Sequence, residues 1–249
     1  MTLLVIGASG YLGGELLRRA PAAAPSSSEL DIRDETAVFD FFTRTGPRTV
    51  VNAAYRRGDR ATTCDGAIHV ARAATVVGAR LVHVSSDLVF DGEKGSPYVE
   101  EDDPAPVNDY GRDKADAEPG VLDACPDAVV VRTSLIYGGP EPGPQERMAA
   151  DPDAAFFTDE HRCPVQVGDL AAALLEVASS AYAGLLHVAG ADSVTRYELA
   201  ELLSGGPVRA ASQADAAEAR PRDCSLSIER ARGLLRTPPR GVREVLNAP

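Results

Sequence analysis

Residues 2–6 (TLLVI) form an apolar run that leads straight into the turn Gly7-Ala8-Ser9-Gly10, after which Tyr11–Ala20 reads as a helix. A strand that passes through glycines into a helix constrains the rest of the chain, because such a unit closes on a second, parallel strand. The sequence supplies several. Glu35–Thr45 reads as a helix with Val38, Phe39 and Phe42 on one face and Asp34 as its N-cap. Thr49–Ala54 reads as a buried strand, Ala61–Val77 as a helix stopped by Gly78, and Arg80–Ser85 as a further strand. Tyr110–Ala124 is helical in pattern although Pro119 interrupts it, and Ala128–Thr133 is strand-like again. Near-continuous Val, Leu and Ile strands alternating with helices predict an α/β fold, a doubly wound parallel sheet covered on both faces.

The pattern shortens after Tyr137. Gly138–Pro144 is a turn-rich break, followed by a helix over Asp169–Ser179 and a strand over Leu185–Ala189. Thr195 and Glu198 then have the spacing of a capping box. Beyond Arg209 there is little periodicity until Ile228–Leu235. The predicted organisation is a domain over residues 1–137 and a smaller lobe over 138–249, interleaved with it. A chain of 249 residues buries ~70–75% of its unfolded surface and needs neither disulfide nor metal to fold. No apolar run approaches the ~18 residues of a membrane helix, and the first residues lack the basic start of a signal peptide. With 25 basic and 37 acidic side chains the net charge is 25 − 37 = −12, which argues against nucleic acid as a partner. Cys64, Cys125, Cys163 and Cys224 stand singly, a usage that predicts no metal centre and suits the cytoplasm.

The three glycines Gly7-x-x-Gly10-x-x-Gly13 sit where strand turns into helix. Glycines at such a place permit a tight turn, close backbone approach to a pyrophosphate, and close helix–strand packing. A dinucleotide site and a purely structural turn are both open on this spacing, and the position at the head of an α/β chain favours the first. A dinucleotide unit also has a second strand that reads the adenosine ribose. Pro21–Ser28 occupies its place without strand character, so NAD and NADP are not distinguished; Asp31 and Ile32 are the candidates to border the adenine.

Strand Arg80–Ser85 ends in Ser85-Ser86-Asp87, and Tyr110 and Lys114 lie four apart on the helix downstream, on one face. The spacing suits carbonyl reduction, in which a phenol of ordinary pKa ~10 must release a proton near neutrality. A cation ~4 Å away at an effective dielectric of ~20 is worth roughly 4 kcal/mol, about three pK units. Lysine meets that need with a flexible point charge, whereas arginine is a rigid fork. Only two of the 25 basic residues are lysines, Lys94 and Lys114, so a lysine here is more than a chance surface cation. Ser86, at the carboxyl end of a strand, could polarise the carbonyl.

The segment Ser85-Ser86-Asp87-Leu88-Val89-Phe90-Asp91-Gly92, followed by Pro97-Tyr98, Glu100, Pro104, Pro106 and Tyr110-Gly111-x-x-Lys114, resembles extended short-chain dehydrogenases of the dTDP-4-dehydrorhamnose reductase (RmlD-like) family. The likeness runs on through Val131-Arg132-Thr133-Ser134, Tyr137-Gly138, Cys163-Pro164, Asp169-Leu170-Ala171 and Arg220-Pro221. It implies a Rossmann-type sheet with a small C-terminal substrate-binding lobe and an NADP- or NAD-dependent oxidoreductase. Ser86, Tyr110 and Lys114 take the catalytic roles by this resemblance. Gly7, Ser9, Gly10, Tyr11, Leu12, Gly13, Asp31, Ile32, Ala53, Ala54, Tyr55 and Ser85 would border the dinucleotide together with Tyr110 and Lys114. Ser86, Asp87, Leu88 and Leu135 would meet a sugar nucleotide or other ketone; the family usually has an aromatic residue in place of Leu88 and Trp in place of Leu135. A homodimer is compatible with the resemblance.

Other residues carry weaker signals. His69, His83, His161 and His187 show no ligand spacing, and His83 and His187 lie in apolar strands as satisfied structural histidines do. No G-x-S-x-G elbow of a hydrolase is present. Glu100–Asp103 reads as a solvated loop or the border of a substrate lid, and Arg56, Arg57 and Arg60 as either a surface cluster or an anion contact. Two further activities fit the same parts: an epimerase or dehydratase, and a non-catalytic binding subunit, since the regulatory subunit of methionine adenosyltransferase is similar to this family.

Overall fold

The computed structural model describes residues 2–216 and 218–247. The strands are β1 (Leu3–Ile6), β2 (Ala22–Ala23), β3 (Thr49–Asn52), β4 (Arg80–Val84), β5 (Val129–Arg132), β6 (Ile136–Tyr137), β7 (Ala155–Phe157), β8 (His161–Arg162), β9 (Val165–Gln166), β10 (Gly184–His187), β11 (Val194–Thr195) and β12 (Arg209–Ala211). The helices are α1 (Tyr11–Arg19), α2 (Glu35–Thr45), α3 (Gly66–Val77), α4 (Asp109–Ala124), α5 (Pro144–Ala149), α6 (Val167–Ala178), α7 (Arg196–Ser204), α8 (Glu229–Leu234) and α9 (Val242–Leu246).

One sheet has the order β10-β5-β4-β3-β1-β2. The pairs β1–β2, β1–β3, β3–β4 and β4–β5 are all parallel. Strands β1, β3 and β5 are buried along their whole length, as strands covered on both faces must be. From β1 the chain first adds β2 on one side and then returns to add β3 on the other. That reversal makes a switch point, and α/β sheets of this type open their ligand crevice at the carboxyl ends of the strands there. It lies directly above the glycine turn.

The chain divides into two compact units. The first comprises the segments up to Ser85, from Arg112 to Arg132 and from Ala171 to Leu186. Its core sets Leu4, Ile6, Val50, Leu81 and Val130 of the sheet against Val38 and Phe42 of α2, Val70 and Ala74 of α3, and Ala117 and Val121 of α4. The second comprises Ser86–Gly111, Thr133–Leu170 and the segment from His187 onward. Within it β6 pairs with β9, β8 with β11 and β7 with β12, and Tyr137, Val194, Leu199 and Val242 pack together. Phe90 stacks on Tyr98 with ring centroids 4.0 Å apart.

The predicted elements are present with ends shifted by no more than two residues, apart from the start of the helix expected over Ala61–Val77, and both predicted caps form. Asp34 accepts from the Ala37 amide at 3.1 Å, and Thr195 and Glu198 complete their reciprocal box. Some expectations need correction. Pro21–Ser28 does contain a strand: Ala22 and Ala23 pair with Leu3 and Leu4. Two alanines carry no β propensity, yet backbone pairing at a sheet edge needs none, and Pro25 bars further extension. Helix α4 runs unbroken through Pro119, which lies on its exposed side. The expected helix Ala61–Val77 begins with a π-helical turn, Ala61–Asp65. Glu100, expected in a solvated loop, is buried and accepts the His187 amide at 3.0 Å. His83 is fully buried, but its ring nitrogens have no hydrogen-bond partner in the protein. Among the described residues no helix is long and apolar enough to cross a membrane, and no group of three potential ligands could hold a metal ion.

Candidate active site

The glycine turn is shaped by backbone crowding. Gly7 adopts φ +85°, and a Cβ on it would lie 2.7 Å from the Ala54 nitrogen and 2.8 Å from the Ala53 carbonyl carbon. Ala53 in turn donates to the Ile6 carbonyl at 2.9 Å, so the end of β3 is drawn against the turn. A Cβ on Gly13 would sit 2.2 Å from the Gly7 oxygen. Gly10 caps α1 without a side chain, and the first turn of α1 holds no acidic residue. The first amides of a helix have no acceptor within it. Here neither a carboxylate nor a side-chain cap competes for them, and Gly7 and Gly10 place no side chain over the backbone at either end of the turn. These features fit a dinucleotide pyrophosphate.

The neighbouring residues are placed less uniformly. Ser9 and Gly10 are exposed, Tyr11 is half-buried, and Leu12 is buried. The Ile32 side chain is buried against α3, its Cγ1 standing 2.7 Å from where a Gly66 Cβ would be. Asp31 is half-buried and gripped by Arg33, with Nε to Oδ1 at 2.9 Å and Nη2 to Oδ2 at 2.6 Å. That fork, aided by the Arg33 amide, pulls the Asp31 carboxyl down to about 2. Of the three clustered arginines, Arg60 turns to α4, 2.5 Å from Asp116 and 3.5 Å from Asp113.

Helix α4 carries Tyr110 in its first turn and Lys114 in the next. Lys114 is 2% exposed and donates to the Val84 carbonyl at 2.8 Å, at the end of β4. The Tyr55 ring, itself more than half exposed, has its centroid 5.6 Å from the ammonium. One turn further along α4, the buried Glu118 takes a fork from Arg132, with Nε at 3.0 Å and Nη2 at 2.7 Å. The Ser85 hydroxyl donates to the same carboxylate at 2.6 Å. Burial lowers the Lys114 ammonium to about 8, against the pull of Glu118 in the other direction.

In the second unit Ser86 caps a short helical turn, Asp87–Val89, accepting from the Leu88 amide and donating to Asp87 Oδ1, both at 3.2 Å. Asp87 is buried and is held on its other oxygen by the Ser134 hydroxyl at 2.6 Å, with Arg162 Nε 3.7 Å away. Burial pushes the Asp87 carboxyl up, and Arg162 and Ser134 oppose it. The helix start that bears Tyr110 rests on this turn: a Cβ on Gly111 would lie 2.1 Å from the Leu88 oxygen, and Asn108 accepts the Gly111 amide at 2.9 Å. Leu88 and Leu135 are half-buried, and Leu135 packs on the Tyr137–Val194 cluster.

Sequence reasoning assigned no role to Glu118, Arg132, Ser134, Arg162 or Gly111. A signal existed for one of them: Arg132 closes the apolar run Ala128–Thr133, and an arginine buried in a strand requires a buried acid.

Lys114 yields a stability prediction whose sign follows from its shift. The unfolded chain carries the ammonium below its ordinary 10.5, the folded chain only below about 8. Burial therefore opposes folding at pH 7 by about 3 kcal/mol, an opposition that vanishes as pH rises from 8 through 10.5. Replacing Lys114 by Met also leaves the Val84 carbonyl without its donor, a loss of ~1–2 kcal/mol. Lys114→Met is expected to stabilise the protein by about 1–2 kcal/mol at pH 7 and to lose that advantage by pH 10.5. Urea unfolding at the two pH values checks it; equal differences at both would contradict it.

The sequence model described as RmlD substrate binding domain matches residues 1–248. A dTDP-4-dehydrorhamnose reductase of Mycobacterium tuberculosis is 36% identical over 219 residues, which is 78% of this chain and 72% of that protein. Methionine adenosyltransferase 2 subunit beta of Pongo abelii is 30% identical over 233 residues, 80% of this chain and 70% of that one. The crystal structure of dTDP-4-dehydrorhamnose reductase from Bacillus anthracis in complex with NADP matches with a TM-score of 0.89 at 26% identity, over 99% of this chain and 98% of that one. Fold, glycine turn and whole-chain match agree, and the chain belongs to the RmlD substrate binding domain family.

Proposed function

We infer that the protein is an NAD(P)H-dependent reductase of a keto group on a sugar nucleotide of the dTDP-4-dehydrorhamnose type. The observation that carries this reading is Lys114, a buried ammonium held to the Val84 carbonyl one helical turn beyond Tyr110. A buried cation that opposes folding is retained where chemistry needs it. The Gly7–Gly13 turn would hold the pyrophosphate, with Ala53, Ala54 and Tyr55 beside it. The reduced nicotinamide would supply the hydride.

The chain's own residues manage the proton. Tyr110 gives its phenolic proton to the carbonyl oxygen as the alkoxide develops, and solvent later restores it. Lys114 stabilises the phenolate left behind. Ser86 donates a hydrogen bond to the same carbonyl oxygen and holds it in place. Asp87, Leu88 and Leu135 border the sugar nucleotide. A cytoplasmic location and a homodimer are compatible with this role.

The likeness to methionine adenosyltransferase 2 subunit beta supports a second reading, a binding subunit of the same fold. Titration with NADPH and with NADH, followed by turnover on a panel of sugar-nucleotide ketones, separates the two. Oxidation of the nicotinamide with a dTDP-linked 4-keto sugar is expected. Binding without turnover across the panel would assign the subunit role, and no binding of either dinucleotide would overturn the reductase reading.

A further inference from the structure

Lys114 is buried on every side, so its charge state depends on the groups packed around it. His83 faces it from β4, and burial together with the Lys114 charge pushes that imidazole well below its usual range, leaving it neutral. Tyr55 presents its ring from the segment after β3. Arg60, ahead of α3, is paired with two acids of α4, the buried Asp113 and the exposed Asp116. Tyr110 lies one turn earlier on the same helix, and Glu118 one turn later. Arg132 approaches from β5, but through the Glu118 carboxylate.

We propose that Glu118 is a positioning residue for the Lys114 ammonium: anchored by Arg132 and Ser85, its carboxylate stands one turn away and holds that lysine in its charged form. The anchoring is tight. The Arg132 fork and the Ser85 hydroxyl approach the carboxylate from β5 and from the residue after β4. Glu118 and Arg132 are 4% and 1% exposed at their side chains. A buried ion pair of this kind adds little net stability over apolar residues of the same size. Its location is therefore informative. It ties α4 to the ends of β4 and β5, and puts a negative charge on the lysine's own helix at i+4. Arg132 moderates that charge while fixing its position.

The composition permits a direct test that does not require turnover. Lys94 and Lys114 are the only lysines, so lysine-selective 13Cε labelling gives two side-chain signals, and Lys94→Arg assigns them. The Lys114 midpoint is read by pH titration of the protein alone. Glu118→Gln is expected to lower it by about one pH unit. Arg132→Gln, which leaves the carboxylate unshared one turn from the lysine, is expected to raise it. Opposite shifts are the signature of an electrostatic role, because a packing role moves thermal stability without moving the midpoint in two directions. If one variant does not fold, the other still decides. A midpoint unchanged from wild type, or moved against the stated direction, overturns the proposal. The inference deepens the reductase reading, but this titration can fail while the wild-type enzyme turns over, and the reverse, so the two failures are distinguishable.

Discussion

Tyr110→Phe is expected to lower kcat by about three orders of magnitude with KM for the sugar nucleotide and the dinucleotide changed only a few-fold. The substitution removes one hydroxyl from the first turn of α4 and leaves the helix start intact, because Gly111 against the Leu88 carbonyl and the Asn108 cap are untouched. On the proposed mechanism, what is lost is the proton that meets the developing alkoxide, an interaction made only in the transition state. The signature is therefore a fall in kcat and in kcat/KM together. Steady-state kinetics with NADPH, beside a dinucleotide titration of the variant, provides the measurement. A variant that still turned over at the wild-type rate would remove Tyr110 from the mechanism.

Gly13→Ala is expected to be the most disruptive single methyl in the glycine turn. The new Cβ would lie 2.2 Å from the Gly7 oxygen and 2.6 Å from the Ala8 Cα, both backbone atoms, so no side chain can swing away. Helix α1 must then part from the turn, with a stability loss of about 2–4 kcal/mol by the usual scale of overpacking. Dinucleotide affinity is expected to fall at least tenfold, since the amides that would face the pyrophosphate move with the helix. Gly10→Ala provides the contrast. Its φ is −77°, and its Cβ would meet only the Gly7 oxygen, at 3.2 Å, so its stability should change by less than about 1 kcal/mol. Urea unfolding and fluorescence titration of the pair check both statements; equal effects at the two glycines would contradict the geometry.

The main sheet was legible because its strands are apolar runs and its helices have one apolar face, two periodicities that survive without knowledge of tertiary contacts. The Tyr110–Lys114 spacing was legible because helix geometry alone puts i and i+4 together. Strand β2 was hidden because Ala22 and Ala23 pair through backbone groups that any residue provides. The charge networks were hidden for a different reason. Glu118 and Arg132 come from a helix and a strand, and Asp87 and Arg162 from separate segments, so each reads in sequence like one more solvated charge. Glu100 misleads in the same way: its acidic neighbours suggest a wet loop, while its carboxylate is used internally on the His187 amide. Partner identity, not residue type, decides such cases, and partners lie outside the reach of local pattern.

The burial of Lys114 also governs how this protein meets reagents. All four cysteines are buried, and of the two lysines only Lys94 retains appreciable access, at 29% side-chain exposure. Amine-acylating and thiol-alkylating probes therefore find one lysine side chain on the folded protein and no cysteine. Acylation under native conditions should tag Lys94 among the side chains, and a tether attached there would present every molecule to a surface in the same orientation. Loss of that selectivity would report unfolding, because Lys114 and the thiols become reactive only when the core opens.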